Sequence, residues 1–107
     1  MIEKQEKLIL DRFKRLILEH GVPFQRIVLF GSRARGDADA ESDFDVLVVV
    51  EHLYRPLRVT ISRCAWEAGF EDCLLIVPVV VTKEEIEQGA FRSSLLMQAI
   101  REEGITL

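Results

Sequence analysis

Apolar positions recur along the chain with two different periods, and each change of period marks an element. From residue 3 to 20, charged residues are interrupted by Ile9, Phe13, Leu16 and Ile17 at helical spacing, and Gly21 followed by Pro23 supplies a stop. An amphipathic opening helix is predicted. "RIVLF", Arg26 to Phe30, is short, apolar and β-branched, so it predicts a buried strand that delivers the chain to Gly31. A polar loop from Ser32 to Ser42 separates it from "FDVLVVV", a second strand ending at Glu51 and His52.

Pro56 stands where the next helix begins, with Leu57, Ile61, Cys64, Ala65 and Ala68 on one face and Gly69 at its end. "CLLIVPVVV", Cys73 to Val81, predicts a third strand, in which Pro78 removes a ladder donor and points to an edge position or a bulge. Thr82 and Glu85 fit a capping box over the short helix "TKEEIEQ", closed by Gly89. Ser93 to Gly104 predicts a last, serine-capped helix, after which "ITL" adds a terminal strand or trails off. With no repeat or linker in 107 residues, a single domain spanning 1–107 is expected. Its class is α/β or α+β, a small sheet with helices packed mainly on one side.

Composition narrows the function classes. A chain that is 49% hydrophobic and 30% charged is an ordinary folded globule. Its net charge of −4 argues against broad nucleic-acid binding, which announces itself as a basic surplus. The longest apolar run, Cys73 to Val81, is too short to span a bilayer, and "MIEKQEKLIL" lacks the pattern of a cleavable signal. A cytoplasmic location away from membranes is therefore expected. Cys64 and Cys73 show no CxxC spacing and are expected as two buried thiols. His20 and His52 have no partner at ligand spacing, and Trp66 reads as a core or interface residue.

The chemistry concentrates in "GSRARGDADAESDFDVLVVV", Gly31 to Val50. Strand side chains alternate faces at a rise of about 3.3 Å per residue, so Asp43 and Asp45 face one way, roughly 6 to 7 Å apart. Like charges that close gain nothing from each other, and burial raises a carboxyl pKa unless a cation compensates. Mg²⁺ is the natural compensation, being a hard ion held by one or two carboxylates together with substrate phosphates. At the end of the first strand, Gly31 permits close backbone approach, and Ser32 offers a hydroxyl beside exposed N–H groups, which together hold phosphate oxygens. Arg33 and Arg35 either add positive charge there or pair with Asp37, Asp39 or Glu41 on the loop.

Gly31-Ser32, ten intervening residues and Asp43-x-Asp45 entering "VLVVV" together resemble the signature of the nucleotidyltransferases of the DNA polymerase β-like superfamily, and more narrowly the minimal nucleotidyltransferase (MNT) group. The resemblance implies the nucleotidyltransferase fold with a mixed sheet. It implies Gly31 and Ser32 at the triphosphate, Asp43 and Asp45 as catalytic residues and Mg²⁺ ligands, and transfer of a nucleoside monophosphate, AMP from ATP first among them, to an acceptor hydroxyl. It also implies a HEPN-type helical partner protein, with this chain as antitoxin of a toxin–antitoxin pair; a homo-oligomer stays open.

Active members of that family add a third carboxylate from the middle of the next strand, where this chain carries Val77 or its apolar neighbours. Glu71 or Asp72 completes the site only in a different strand register, and Glu51 lies at the far end of its strand. Two other readings follow: a catalytically lapsed nucleotide-binding or antitoxin subunit, and a structural subunit that covers a partner with Leu95, Leu96 and Met97.

Overall fold

A computed structural model describes residues 3–107. The chain runs α1 (Lys4–Glu19), β1 (Phe24–Phe30), α2 (Ser32–Arg35), β2 (Phe44–Val50), α3 (Arg55–Phe70), β3 (Ile76–Thr82), α4 (Lys83–Glu87), a 3₁₀ turn (Ala90–Ser93), α5 (Leu95–Glu103) and β4 (Ile105–Thr106). The strands form one mixed sheet in the order β3-β2-β1-β4. β2 runs antiparallel to β1 and parallel to β3, while β4 returns antiparallel along β1. Parallel β2 and β3 require a crossover, and α3 supplies it.

Burial explains why β2 reads as one continuous apolar run rather than an alternation: both its faces are covered. Phe44, Val46, Val48 and Val50 join Ile9, Phe13 and Ile17 of α1 and Leu57, Ile61, Cys64 and Ala68 of α3 in the larger core. Leu47 and Val49 face the other way and pack with Val28, Phe30 and Val81 against Met97 and Ile100 of α5. The two long helices therefore share one face, as expected, and a smaller layer built on α5 covers part of the other. Asp45 belongs to this second face by strand alternation.

The third strand and the loop after β1 differ from expectation. The third strand begins at Ile76 rather than Cys73, because residues 71–75 are spent closing α3: the N–H groups of Cys73 and Leu74 donate to the carbonyls of Phe70 and Gly69. Cys73 adopts φ 55° in this turn and is exposed, so only Cys64 is a buried thiol. The loop after β1 contains the single helical turn α2, closed by Gly36 in the left-handed region. Pro78 lies in β3, an edge strand, as its missing donor requires. Trp66 is largely exposed and packs on Phe70, with ring centroids 4.6 Å apart. Among the described residues, no helix is long and apolar enough to cross a membrane.

Candidate functional site

The register of β1 on β2 pairs Phe30 with Asp45, so the residue after Phe30 emerges beside the Asp45 carboxylate. That residue is Gly31, with φ 79° and ψ −161°, a conformation that disfavours any side chain. Space excludes one as well: a Cβ on Gly31 would sit 3.2 Å from Cγ and 3.3 Å from Cβ of Asp45 and collide with its Oδ2. The glycine is thus required twice, and the contact it permits fuses a backbone turn to a carboxylate.

Past Gly31 the chain makes the one turn of α2, in which the N–H groups of Ala34 and Arg35 both reach the Gly31 carbonyl at 3.0 Å. Ser32 opens this turn half-buried, and its hydroxyl has no hydrogen-bond partner among the described residues. The N–H groups of Ser32 and Arg33, at the start of this turn, have no acceptor within it, which leaves a short polar edge of donors beside Gly31.

Asp43 is exposed and precedes β2 by one residue, whereas Asp45 lies within β2 and is half-buried. The Asp45 carboxyl is pushed above the usual carboxylate value, first by burial and then by the negative charge of Asp43. Glu103 pushes in the same direction and Arg35 opposes both. Two oxygen-donor side chains whose charges are mutually unfavourable form a donor set suited to a hard divalent cation.

Arg33 and Arg35 part company. Arg33 is buried, and its guanidinium donates to Glu6 Oε2 of α1 at 2.9 Å and to the carbonyls of Ser42 and Ala40 at 2.7 and 3.3 Å. It also lies over the Phe44 ring, 4.3 Å from the centroid. This corrects both expectations for Arg33: its donors tie the loop after α2 to α1, so they face neither the acidic pair nor an acid of the loop. Arg35 is the cation on the site's side. Its Nε donates to Asp37 Oδ2 at 3.0 Å, and its Nη1 pairs with Glu103 Oε2 at 3.2 Å.

Glu103 is the residue sequence reasoning missed. Its Oε1 accepts the Gly31 N–H at 3.0 Å, and its side chain is only 19% exposed. β4 brings it there: Leu29 pairs with Ile105, and continuing that antiparallel register by two residues sets Glu103 across from Gly31. The signal was present in "REEGITL", but it becomes visible only once "ITL" is placed on β1.

The neighbouring strand supplies no acid. Val77 stands directly across from Asp45. Asp72 pairs instead with Arg12 at 3.2 Å, joining α3 to α1, and Glu71 is exposed at the end of α3. Among the described residues, no cluster of three or more His, Cys, Asp or Glu is placed to hold a metal. A cavity of about 470 Å³ is lined by Glu6, Arg33, Phe44, Asp39 and Asp72 on the α1 side of the loop, and Asp45 is not part of its wall. Leu95 and Leu96 of α5 are exposed, but Met97 is buried, so the apolar trio does not form one outer face.

Known proteins share part of this sequence and its fold. A stretch of 59 residues is 61% identical to a Methanocaldococcus jannaschii protein named as a candidate protein adenylyltransferase. The match covers 54% of the chain and spans only 60% of that relative's length. In three dimensions the chain is similar to a chain of a toxin–antitoxin crystal structure with AMP-PNP, at TM-score 0.62 and 21% identity over 90% of this chain and 69% of the other. It is also similar to a chain of a complex between a tri-AMPylated Shewanella oneidensis HEPN toxin and an MNT antitoxin, at TM-score 0.57 and 19% identity over 94% and 69%. At such identities these likenesses show a shared fold. The family model for the nucleotidyltransferase domain matches residues 7–102, from α1 through α5 and across the Gly31–Asp45 junction, and the chain belongs to that family.

Proposed function

We propose that this chain binds a nucleoside triphosphate with Mg²⁺ and transfers the nucleoside monophosphate, AMP from ATP, to an acceptor hydroxyl. The observation that carries the reading is the contact between the Gly31 backbone and the Asp45 carboxylate, which sets an anion-holding edge and a cation-holding face side by side. Asp43 and Asp45 would hold Mg²⁺, which when bound offsets phosphate charge. Ser32 and the first-turn N–H groups orient the phosphates through hydrogen bonds, and Arg35 adds positive charge. Arg33 acts one step removed by fixing the loop that carries Asp43.

The reaction is an in-line displacement: the acceptor oxygen bonds to the α-phosphorus, the bond to the α–β bridging oxygen breaks, and pyrophosphate leaves with that electron pair. The hydroxyl proton passes to solvent. Such chemistry asks for positioning and charge stabilisation more than for covalent help from the protein. The acceptor on this reading is a hydroxyl of a HEPN-type helical partner, with the chain acting as its antitoxin. Support comes from the similarity to chains in toxin–antitoxin complexes, one of them with an AMPylated HEPN toxin.

A second reading rests on one observation, the valine across from Asp45. Without a third carboxylate the chain would be a nucleotide-binding antitoxin subunit that no longer transfers. Incubation with Mg²⁺ and α-labelled ATP, alone and with a HEPN-type partner, separates the two. Label on protein that disappears in Asp45→Asn supports transfer. No label, together with Mg²⁺-dependent protection from heat by ATP, supports the binding subunit.

A further inference from the structure

The Gly31 N–H and the Arg35 guanidinium are donors on the Asp45 side of the loop, and both are engaged by one carboxylate. Glu103 takes the N–H on Oε1 at 3.0 Å and the Arg35 Nη1 on Oε1 and Oε2 at 3.3 and 3.2 Å. A carboxylate so placed mimics a phosphate, with two oxygens on a backbone donor and a guanidinium. Its position is otherwise unfavourable. Glu103 ends α5, where the helix dipole disfavours negative charge, and its charge acts unfavourably on that of Asp45. Among the described residues, the Gly31 N–H and Arg35 are what compensate it.

We propose that Glu103 is an internal occupant of the phosphate position, which the triphosphate must displace to reach Gly31 and Arg35. The inference rests on the nucleotide reading above and adds a device that sets its affinity. Two anions do not share these donors, so nucleotide binds only to molecules whose Glu103 has swung away. The swing is local: β4 fixes the backbone at Ile105 against Leu29, and only the side chain has to leave. A metal-ligand role for Glu103 in this conformation is disfavoured, because its oxygens are taken up by nitrogen donors and the acidic residues do not converge on a metal position.

Isothermal titration with ATP in excess Mg²⁺, on the wild type, Glu103→Ala, Glu103→Gln and Asp45→Asn, provides the test, with amide hydrogen exchange at Gly31 measured on nucleotide-free protein. An apparent Kd scales inversely with the competent fraction, so a latch closed in about four molecules of five predicts roughly fivefold tighter binding in Glu103→Ala. Glu103→Gln tightens less, since its amide oxygen still accepts the Gly31 N–H after the ion pair is gone, and its near-identical shape guards against a folding artefact. The Gly31 amide exchanges faster in Glu103→Ala than in the wild type. If the wild type binds ATP and Glu103→Ala binds it equally or more weakly, the latch is overturned and the nucleotide reading stands. If none of the four proteins binds, the nucleotide reading falls and the latch falls with it.

Discussion

Gly31 and Asp45 are in contact across the end of the β1–β2 pair, with the glycine held at φ 79° and no room for a side chain between them. Alanine there meets two obstacles, a backbone conformation that disfavours it and the Asp45 carboxylate. Gly31→Ala is expected to lose about 1–3 kcal/mol of stability in urea unfolding and to lose ATP binding at temperatures where it remains folded. A Gly31→Ala protein as stable as the wild type, still binding ATP, would contradict the geometry.

Asp45→Asn separates function from stability. Burial and Asp43 raise the folded-state pKa of Asp45, so the folded protein holds this proton more tightly than the unfolded chain does. Below the ordinary carboxyl pKa, the proton is bound in both states and no penalty arises. As pH climbs from that ordinary value to the raised folded value, the unfolded chain sheds its proton first and the fold loses stability; above the folded value the penalty is constant. Asp45→Asn should therefore gain stability relative to the wild type as pH rises from about 4 toward neutrality, while Mg²⁺ stabilises only the wild type. Melting curves across pH, with Mg²⁺ or with EDTA, check both. Outer-shell changes cost 10–100-fold, so nucleotidyl transfer by this variant should fall by at least about 100-fold.

Arg33 and Glu6 form a pair in which both side chains are nearly buried, at 8% and 12% exposure. Removing one partner strands the other, and Arg33→Met is expected to cost about 3 kcal/mol in denaturant unfolding. The double variant with Glu6→Gln should recover part of that loss. If Arg33→Met is as stable as the wild type but loses ATP binding, the residue contacts phosphate instead of holding the loop.

Val77 offers a gain-of-function test. It is half-buried and directly across from Asp45, so Val77→Asp places a third carboxylate beside the pair at a stability cost of about 1–3 kcal/mol. Stronger Mg²⁺-dependent protein labelling from α-labelled ATP is expected. Labelling no stronger than the wild type's would show that the acid at this position is not what limits transfer.

Most of the fold was legible because local signals and burial agree. Ile9, Phe13 and Ile17 recur with the helical period and are buried, and the uninterrupted apolar run of β2 reflects a strand covered on both faces. Legibility failed where contacts are long-range. Cys73 looks like a strand residue by its apolar neighbours, yet the chain needs residues 71–75 to leave α3 and reach β3. Within the site, Gly31, Ser32, Asp43 and Asp45 stood out by spacing, since one strand end and the start of the next carry them. The partner of Arg33 lies 27 positions earlier and that of Gly31 lies 72 positions later, so loop composition pointed to neither. Glu103 depends on a two-residue strand pairing with β1, too short to leave a periodic signal.

Magnesium-dependent nucleotide binding at Asp45 is tested most directly by calorimetric titration of ATP into this chain with and without Mg²⁺. It predicts a saturable heat that requires Mg²⁺ and vanishes in Asp45→Asn. An absence of heat under all conditions, or the same heat in Asp45→Asn as in the wild type, would contradict it.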